Sequence, residues 1–443
     1  MKNQVLKQAI YEVTSSGLPA AFCFYIEFLN QKNTKYRYIP GIASLQQVEY
    51  NQNASEEYCE DILLHLLISG NEYALMYENI QDLYCHVIIS YMNVEGVKQS
   101  HFTPIKKKYR AMLVNPTDIR KHTTDVQYYV EPTIPIQVRL IEESVYKARA
   151  IQVNGIYTRT TVTEAIHHLA LSFGFKKVTM EKAKNVHIYD HLVIPPMKDL
   201  GDCFPYIQRE YGVYDKGLAQ YVIGDSLYVY APFNLTPKTM THLNIYQTPL
   251  NHTVAVTSTI KLKKGLVEVV GNQATNVVDH SLFGAENHGT SLTFLRSSEV
   301  QDGVIQYHPK RPITFKKDVT LSIGLTEPRT LTTNTHRPRY ATTTDNVFSL
   351  GSLVSEHQYT RLEMTWYHSM PFALRPGLLT NYYWDDNGKL KKKTGILESL
   401  YSVFIPTQMG AQNTKHSAWV LRGQTGVIVR LLPGDVTVKT IGR

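Results

Sequence analysis

The segment 154–234 constrains the fold of this chain most, because its helices, breaks and turns can be located from individual residues. Thr161 can cap the first turn of a helix, while Glu164, three residues later, can reach back to the backbone amide of Thr161. Apolar residues then recur at helical spacing, namely Val162, Ala165, Ile166, Leu169, Ala170 and Phe173. Gly174 follows where a left-handed residue often ends a helix. The pattern predicts an amphipathic helix that packs against a larger structure.

Three more elements are expected after this helix. Residues 187–194 alternate like a half-buried strand, and Pro195-Pro196 predicts a break because proline lacks the backbone donor that a ladder needs. Residues 204–211 predict a short helix that ends at Gly212. Two strand-like runs within 220–231 flank a Gly-Asp-Ser sequence, which predicts a hairpin.

The amino-acid sequence of this segment resembles the middle domain of the central baseplate hub proteins of contractile-tailed bacteriophages. In that family a T-V-x-x-A-I helix precedes an I-P-P loop, and a Y-x-x-x-x-Y-G-V-Y-x-x-G segment leads into a hairpin. The matching residues of this chain are 161–166, 194–196 and 206–217. The three pieces are weak one by one and specific in combination.

The resemblance implies an α+β fold that is mainly β, with two small barrel-like β-domains flanking an α/β middle domain and with an insertion. It also implies a homotrimer. Because a trimer of two-barrel protomers forms a ring with pseudo-six-fold symmetry, such a hub can join a three-fold spike to a six-fold tail tube.

The partners implied by the resemblance are the tail tube or a tube-initiator protein, the spike or cell-puncturing protein, and the baseplate wedge proteins. DNA would pass through the lumen without sequence-specific binding. The chain would be made in the bacterial cytoplasm of the host and would act in the virion, during tail assembly and genome ejection.

The patterns along the chain predict a discontinuous domain organisation. We expect a first barrel-like β-domain with one helix at 1–125 and an α/β middle domain at 126–240. A second barrel-like β-domain is expected in two pieces, 241–275 and 346–443, which are separated by a loop-rich β insertion at 276–345.

The first of these domains contains a strand and a candidate helix. Residues 20–29 alternate like a strand with one apolar face, formed by Phe22, Phe24, Ile26 and Phe28. Asn53 and Glu56 form a candidate capping box. The apolar residues behind it are spaced as on a helix, namely Cys59, Ile62, Leu63, Leu66 and Leu67.

Two turn sequences organise the second β-domain. Lys263-Lys264-Gly265 separates two apolar runs and predicts a hairpin. Asp386-Asn387-Gly388 predicts a tight turn that leads into a basic return strand.

Two basic runs carry much of the formal net charge of +8. These runs contain the candidate interface or lumen residues Lys106, Lys107, Lys108 and Arg110, and Lys389, Lys391, Lys392 and Lys393. Each run is expected in a hairpin tip or linker, where lysines are usually solvated and prevent edge pairing. If the chain is a hub, these side chains are expected to face the lumen or a neighbouring protein.

The residue patterns indicate neither an enzyme nor a cofactor or metal site. His187 and His191 would face the same side of a strand about 13 Å apart, too far for one ion. The adjacent acids Asp385-Asp386 and Glu142-Glu143 are expected to be solvated, and no nucleophile, phosphate-binding or zinc-protease motif is present. Four widely spaced cysteines are expected to be buried free thiols. No apolar run reaches the ~18 residues of a membrane span, so no membrane insertion is expected.

Two alternative functions remain open from the sequence. A receptor- or carbohydrate-binding module of a virion could use Trp384 with Tyr382 and Tyr383 as an aromatic platform, although these rings could equally fill a core. A peptidoglycan-degrading tail enzyme is the weaker alternative, because no catalytic constellation is visible.

Overall fold

The computed structural model describes most of the chain. The described residues are 4–16, 21–41, 43–54, 58–91, 104–114, 133–197, 199–215, 217–232, 241–248, 260–279, 360–407 and 419–431, together with the short strands at 293–294, 304–308, 311–316, 322–323, 329–330 and 436–437.

Five α-helices lie within these ranges. They are α1 (Gln4–Ser16), α2 (Gly70–Glu78), α3 (Glu143–Arg149), α4 (Val162–Ser172) and α5 (Leu200–Glu210). Short 3-10 turns occur at Ile80–Asp82 and Pro371–Ala373. No helix in the described part of the chain has the length and apolar character needed to cross a membrane.

Strands dominate the rest of the structure. They are β1 (Phe22–Asn30), β2 (Arg37–Tyr38), β3 (Leu45–Asn53), β4 (Glu60–Ser69), β5 (Leu83–Tyr91), β6 (Ile105–Leu113), β7 (Thr133–Ile141), β8 (Val153–Thr160), β9 (Lys177–Met180), β10 (Tyr189–Met197), β11 (Ala219–Ile223), β12 (Ser226–Tyr230), β13 (His242–Thr248), β14 (Ile260–Lys263), β15 (Leu266–Asp279), β16 (Thr293–Phe294), β17 (Val304–His308), β18 (Arg311–Lys316), β19 (Ser322–Ile323), β20 (Arg329–Thr330), β21 (Thr360–Tyr367), β22 (Leu379–Asp386), β23 (Lys389–Thr407), β24 (Trp419–Leu431) and β25 (Val436–Thr437).

Eight of these strands pair in a closed antiparallel circuit. Their order is β3, β4, β7, β6, β5, β1, β24 and β23, and β23 pairs again with β3. Alternate side chains point inward, so that Phe24, Ile26 and Phe28 of β1 are fully buried. We call these strands the eight-strand circuit.

Six strands close a second circuit beside the first. Their order is β23, β22, β13, β15, β21 and β24, and β24 pairs again with β23. The strand β13 runs parallel to both of its neighbours, whereas the other pairs are antiparallel. We call these strands the six-strand circuit.

The two circuits share β23 and β24. Residues 389–396 of β23 pair with β22, whereas residues 399–404 pair with β3. The pairing of β23 with β24 is irregular between Leu397 and Ser399, where the partner on the other side changes. A bulge bends a strand and increases its twist, which suits a strand that passes from one circuit to the next. One apolar core fills both circuits.

The segment between β7 and β13 forms a separate unit with its own core, which we call the middle unit. Its helices α3, α4 and α5 pack with the two-stranded ribbon β8–β10 and with a three-stranded sheet in the order β11, β12, β9. Tyr58 and Cys59, which precede β4, also belong to this core.

The local predictions for the middle unit are confirmed. The side chain of Thr161 accepts a hydrogen bond from the Glu164 amide at 3.2 Å, and the Glu164 carboxylate accepts one from the Thr161 amide at 2.9 Å. Gly174 and Gly212 have φ of 107° and 73°, as residues that end helices often do. The hairpin β11–β12 turns at Gly224, where φ is 60°.

Two details of the middle unit differ from the prediction. The strand β10 continues through Pro195-Pro196 to Met197, with an irregular register after Ile194. Because β10 pairs with β8 alone among the described strands, a proline is tolerated on its other edge. The second helix is longer than expected and contains Pro205, which cannot donate to the Gly201 carbonyl; the side chain of Gln220 donates to it instead at 2.8 Å.

The helix predicted behind Asn53 and Glu56 is wrong. Residues 60–69 form β4, in which Ile62, Leu64 and Leu66 point inward with the two-residue period of a strand. Because the other face of β4 is half-buried, apolar residues occur on both faces and imitate helical spacing. The helix follows as α2, with Ser69 and Glu72 as its capping box.

The architecture is α+β and mainly β, as predicted. The turns at Lys263-Lys264-Gly265 and Asn387-Gly388 are confirmed, with positive φ at both glycines. Most of the predicted insertion 276–345 lies outside the described residues. The division of the chain into domains stays a prediction.

The close packing of the shared strands can be tested at Gly423 of β24. A Cβ atom there would overlap the carbonyl oxygen of Val403 and the ring of Phe404, both on β23. We expect Gly423→Ala to lower the free energy of unfolding by about 1–3 kcal/mol, because this packed site must distort. Urea unfolding followed by tryptophan fluorescence measures the change.

Gly426→Ala is the matched control on the same strand. A Cβ atom at Gly426 meets its nearest atom, the Tyr401 carbonyl oxygen, at 3.7 Å. We expect stability close to that of the unchanged protein. Equal effects of the two substitutions would contradict the packing described for β23 and β24.

Candidate functional site

The first basic run lies within a strand. Lys106, Lys107 and Lys108 lie in the first half of β6, where they pair with β5. The predicted location in a hairpin tip or linker is therefore wrong. Successive side chains of β6 point to opposite faces, so that Lys106 and Lys108 are exposed and Lys107 points towards the interior.

Arg110 of the same run makes internal contacts. It is 7% exposed, and its guanidinium donates to the Tyr84 hydroxyl at 3.1 Å. It lies 3.6 Å from Asp82 and over the rings of Tyr84 and Tyr146. Arg110 therefore connects β6 to α3 of the middle unit.

Lys107 ends at a buried carboxylate. Its ammonium forms an ion pair and a hydrogen bond with Glu60 of β4, which is 7% exposed. The Tyr50 hydroxyl donates to the other Glu60 oxygen at 2.5 Å, and the Tyr109 hydroxyl donates to the same oxygen as Lys107 at 2.9 Å. The Gln52 side-chain amide also donates to Glu60, at 3.4 Å, so four donors from β3 and β6 converge on one carboxylate.

These contacts decide the charge of Glu60. Burial alone would raise the pKa of Glu60, but the charge of Lys107 and the hydrogen bonds from Lys107, Tyr50 and Tyr109 lower it, and the net change is a lowered pKa. Glu60 is therefore ionised at neutral pH.

A second buried acid lies beside this group, at the end of β7. Glu142 is 8% exposed, so the sequence expectation of a solvated Glu142-Glu143 pair is wrong for Glu142. Glu143, by contrast, ion-pairs with Lys147 at 3.4 Å on α3 and is partly exposed. The buried polar group formed by Tyr50, Glu60, Lys107, Tyr109 and Glu142, which we call the junction cluster, lies where the middle unit meets the eight-strand circuit.

The second basic run begins β23, directly after the tight turn at Asn387-Gly388. Lys389 is exposed, and Lys391 lies 3.7 Å from Asp386. Lys392 lies over the Tyr383 ring at 5.7 Å, while Lys393 pairs in register with Tyr382. This run is thus a strand beside a hairpin turn, close to what the sequence predicts.

The three aromatic residues of β22 do not form one platform. Tyr382 and Trp384 point to the core side, stack on each other at 5.4 Å, and Tyr382 is only 5% exposed. Tyr383 points to the other face, where it stacks on Tyr246 at 5.3 Å. The core-filling alternative therefore describes Tyr382 and Trp384 better than a glycan platform.

The histidine side chains considered in the middle unit do not meet at one site. His187 and His191 are exposed, His187 packs against the Tyr189 ring, and His168 lies 3.0 Å from the Tyr157 hydroxyl. Within the ranges given above, no three His, Cys, Asp or Glu side chains are grouped as metal ligands. All four cysteines are free and buried, as predicted.

Two apolar surfaces remain exposed. On the ribbon β8–β10, Ile156 and its cross-strand partner Val193 face outward, and Val186 and Ile188 lie just before β10. On the eight-strand circuit, alternate residues of β23 from Tyr401 to Ile405 point outward.

Part of the chain matches a family of bacteriophage proteins. A family model matches residues 81–293, just under half of the chain. That family is described as Bacteriophage PBS1 gene 109 protein. The bacteriophage resemblance predicted from the middle segment is thereby confirmed. None of the curated protein sequences matches the chain.

The solved structures that match the chain include tail proteins. One is the tail protein from Neisseria meningitidis MC58, with 12% identity, a TM-score of 0.47, and coverage of 92% of this chain and 96% of that chain. Another is the 43 kDa tail protein of prophage MuSo2 from Shewanella oneidensis, with 9% identity, a TM-score of 0.45, and coverage of 91% and 96%.

A third similar structure is the E. coli c3393 protein, described as a component of the type VI secretion system with structural similarity to the T4 bacteriophage tail proteins gp27 and gp5. Its identity is 8% and its TM-score 0.39, with coverage of 90% of this chain and 77% of that chain. At such values none of these structures defines a residue-level correspondence with this chain.

The junction cluster is the part of the structure that the sequence reading missed. Glu60 occupies the inward series that continues through Ile62 and Leu64, so a strand assignment for 60–69 would have placed a carboxylate inside. The helical assignment concealed that signal. Glu142 gave no local signal, because its burial depends on residues far away in the sequence.

The pairing of Lys107 with Glu60 can be tested by removing the ammonium. We expect Lys107→Met to lower the free energy of unfolding by about 3–5 kcal/mol, because it leaves a buried carboxylate without its counter-charge. Urea unfolding at neutral pH measures this loss.

Lys106→Met is the control, since the exposed neighbouring side chain loses the same charge on the same strand. Its effect should stay within about 0.5 kcal/mol. If both variants were equally stable, the junction cluster would not depend on Lys107.

Proposed function

We propose that this chain is the structural hub of a contractile phage tail baseplate. The proposal is carried by the combination of the bacteriophage family match with two closed strand circuits in one chain. A trimer of such chains would present six circuits in a ring of pseudo-six-fold symmetry. The role is structural and not catalytic.

The proposed domain division follows the strand circuits except at β7, which belongs to the eight-strand circuit and lies within 126–240. The first β-domain, 1–125, supplies most of the eight-strand circuit; the second, 241–275 with 346–443, supplies the six-strand circuit and the shared strands. The middle domain, 126–240, contains the second core. Residues 276–345 form an insertion in this division.

The proposed partners follow from the place of a hub in the tail. The ring joins the tail tube or a tube-initiator protein on one side to a spike protein on the other, and it contacts baseplate wedge proteins at its edge. It acts in the virion during assembly and genome ejection, after synthesis in the bacterial cytoplasm.

The trimer is tested by measuring mass in solution. Size-exclusion chromatography with light scattering should give about three times the 50.6 kDa mass of one chain, either for the protein alone or after mixing with the spike protein of the same phage. A monomer under both conditions would contradict the hub proposal. A dimer would contradict it as well, because a dimer cannot match a three-fold spike.

We further propose that the exposed lysines of the basic runs face the lumen or a neighbouring protein. Lys106 and Lys108 project outward from β6, and Lys389 does so beside the hairpin turn. Their positive charge suits a surface along which DNA passes, because phosphate contacts are electrostatic and independent of sequence.

Charge reversal at Lys106 and Lys108 tests this surface. We expect particles assembled with Lys106→Glu/Lys108→Glu to eject DNA more slowly or to assemble in lower yield, because the surface becomes repulsive to phosphate or to its protein neighbour. The matched control is Lys182→Glu/Lys184→Glu, two exposed lysines at the same spacing in the middle unit. Equal ejection and yield for both pairs would exclude the assigned role.

A further inference from the structure

The contact between the middle unit and the eight-strand circuit contains a buried acid, Glu142, that forms no ion pair within 4 Å among the described residues. A small apolar group formed by Ala54, Ala219, Tyr221 and Tyr230 lies at this contact. Glu142 lies beside it, where β7 ends and α3 begins. Glu142 therefore lies between the middle unit and the eight-strand circuit.

Charged and titratable groups approach Glu142 from several elements. They are Glu60 from β4, Lys107 and Tyr109 from β6, Tyr221 from β11 and Arg375 from the segment before β22. The backbone of Gly224, in the β11–β12 turn, also forms a hydrogen bond with the Glu142 carboxyl group.

The hydrogen bonds of Glu142 leave one oxygen unused. Among the described residues, Oε2 of Glu142 has no hydrogen-bond partner, and the same is true of the buried Tyr221 hydroxyl. An ionised carboxylate in this position would keep a desolvated, unbonded oxygen next to the charge of Glu60. A protonated carboxyl group carries no charge and can itself donate a hydrogen bond.

The neighbouring acids therefore differ because their surroundings differ. Glu60 accepts hydrogen bonds from one ammonium, two phenols and the Gln52 amide. Glu142 has a hydrogen bond with the Gly224 backbone and lies near the charge of Glu60 as well as those of Lys107 and Arg375. When two carboxylates lie close together and one receives more hydrogen bonds, that one stays ionised and the other keeps its proton.

We propose that Glu142 is a proton-binding site at the junction, protonated while the middle unit is packed against the eight-strand circuit, and that its ionisation loosens this packing. The inference is independent of the hub proposal, because it concerns contacts within one chain.

The direction of the pH dependence follows from the pKa of Glu142. Burial, followed by the charge of Glu60, raises this pKa from 4.5 to about 7, against the lowering effects of Lys107, Gly224 and Arg375. The stability that protonated Glu142 contributes is therefore fully present below pH 4.5 and is lost as the pH rises through about 7. Packing of the middle unit should weaken on the alkaline side.

Infrared spectroscopy of the full chain tests the protonation directly. We expect a band of a buried protonated carboxyl group that persists at pH 6 and fades as the pH rises through about 7. The band should be absent in Glu142→Gln and unchanged in Glu143→Gln, the matched control one residue away. Absence of the band from the unchanged protein, or its persistence in Glu142→Gln, would overturn the proposal.

Hydrogen exchange tests the loosening. Between pH 6 and pH 8, the equilibrium for opening of the segments 141–149 and 219–231 should rise about tenfold in the unchanged protein relative to Glu142→Gln at the same pH. Comparison at equal pH removes the intrinsic change of exchange rate. Parallel behaviour of the two proteins would contradict the inferred link to packing.

Glu60→Gln provides a second variant in case Glu142→Gln does not fold. Removing the charge of Glu60 should move the infrared titration to lower pH, because a like charge that raises the pKa of Glu142 is gone. An unchanged midpoint would show that the titrating group is not Glu142.

Discussion

The sharing of β23 and β24 between the two circuits is the constraint on which the rest of this structure depends. Each strand is long because it completes one circuit with its first part and the other with its second part. Glycines at 395 and 423 let the two backbones approach closely. The circuits therefore have a common core and share the backbone of two strands.

The junction cluster shows how a polar group can be tolerated beside such a core. Glu60 is buried at the end of an otherwise apolar inward series. The cost of its burial is offset by one ammonium, two hydroxyl donors and the Gln52 amide, all from neighbouring strands. The hydroxyls come from Tyr50 and Tyr109, which are themselves buried. The many tyrosines of this chain thus serve partly as internal hydrogen-bond donors.

The sequence predicts local structure well where a few neighbouring residues decide it. Thr161 with Glu164, and Gly212, determine their helix ends from within one turn, and the phage resemblance rests on the same segment. The closure of the circuits could not be predicted, because the paired strands β3 and β23 are separated by hundreds of residues in the sequence. The buried state of Glu142 and the inward turn of Lys107 were missed for the same reason, since their surroundings come from distant strands.

The insertion of Tyr58 and Cys59 into the core of the middle unit has a consequence for how this architecture can be exchanged between relatives. The Tyr58 ring packs so closely on Gly201 that a side chain there would overlap it, and the Tyr58 carbonyl accepts the amide of Val222 at 2.8 Å. If recombination replaced only the segment between β7 and β13, Tyr58 would have to pack against core residues from a different protein. The unit of inheritance for the middle unit therefore includes the short connection before β4, and the two pieces must vary together.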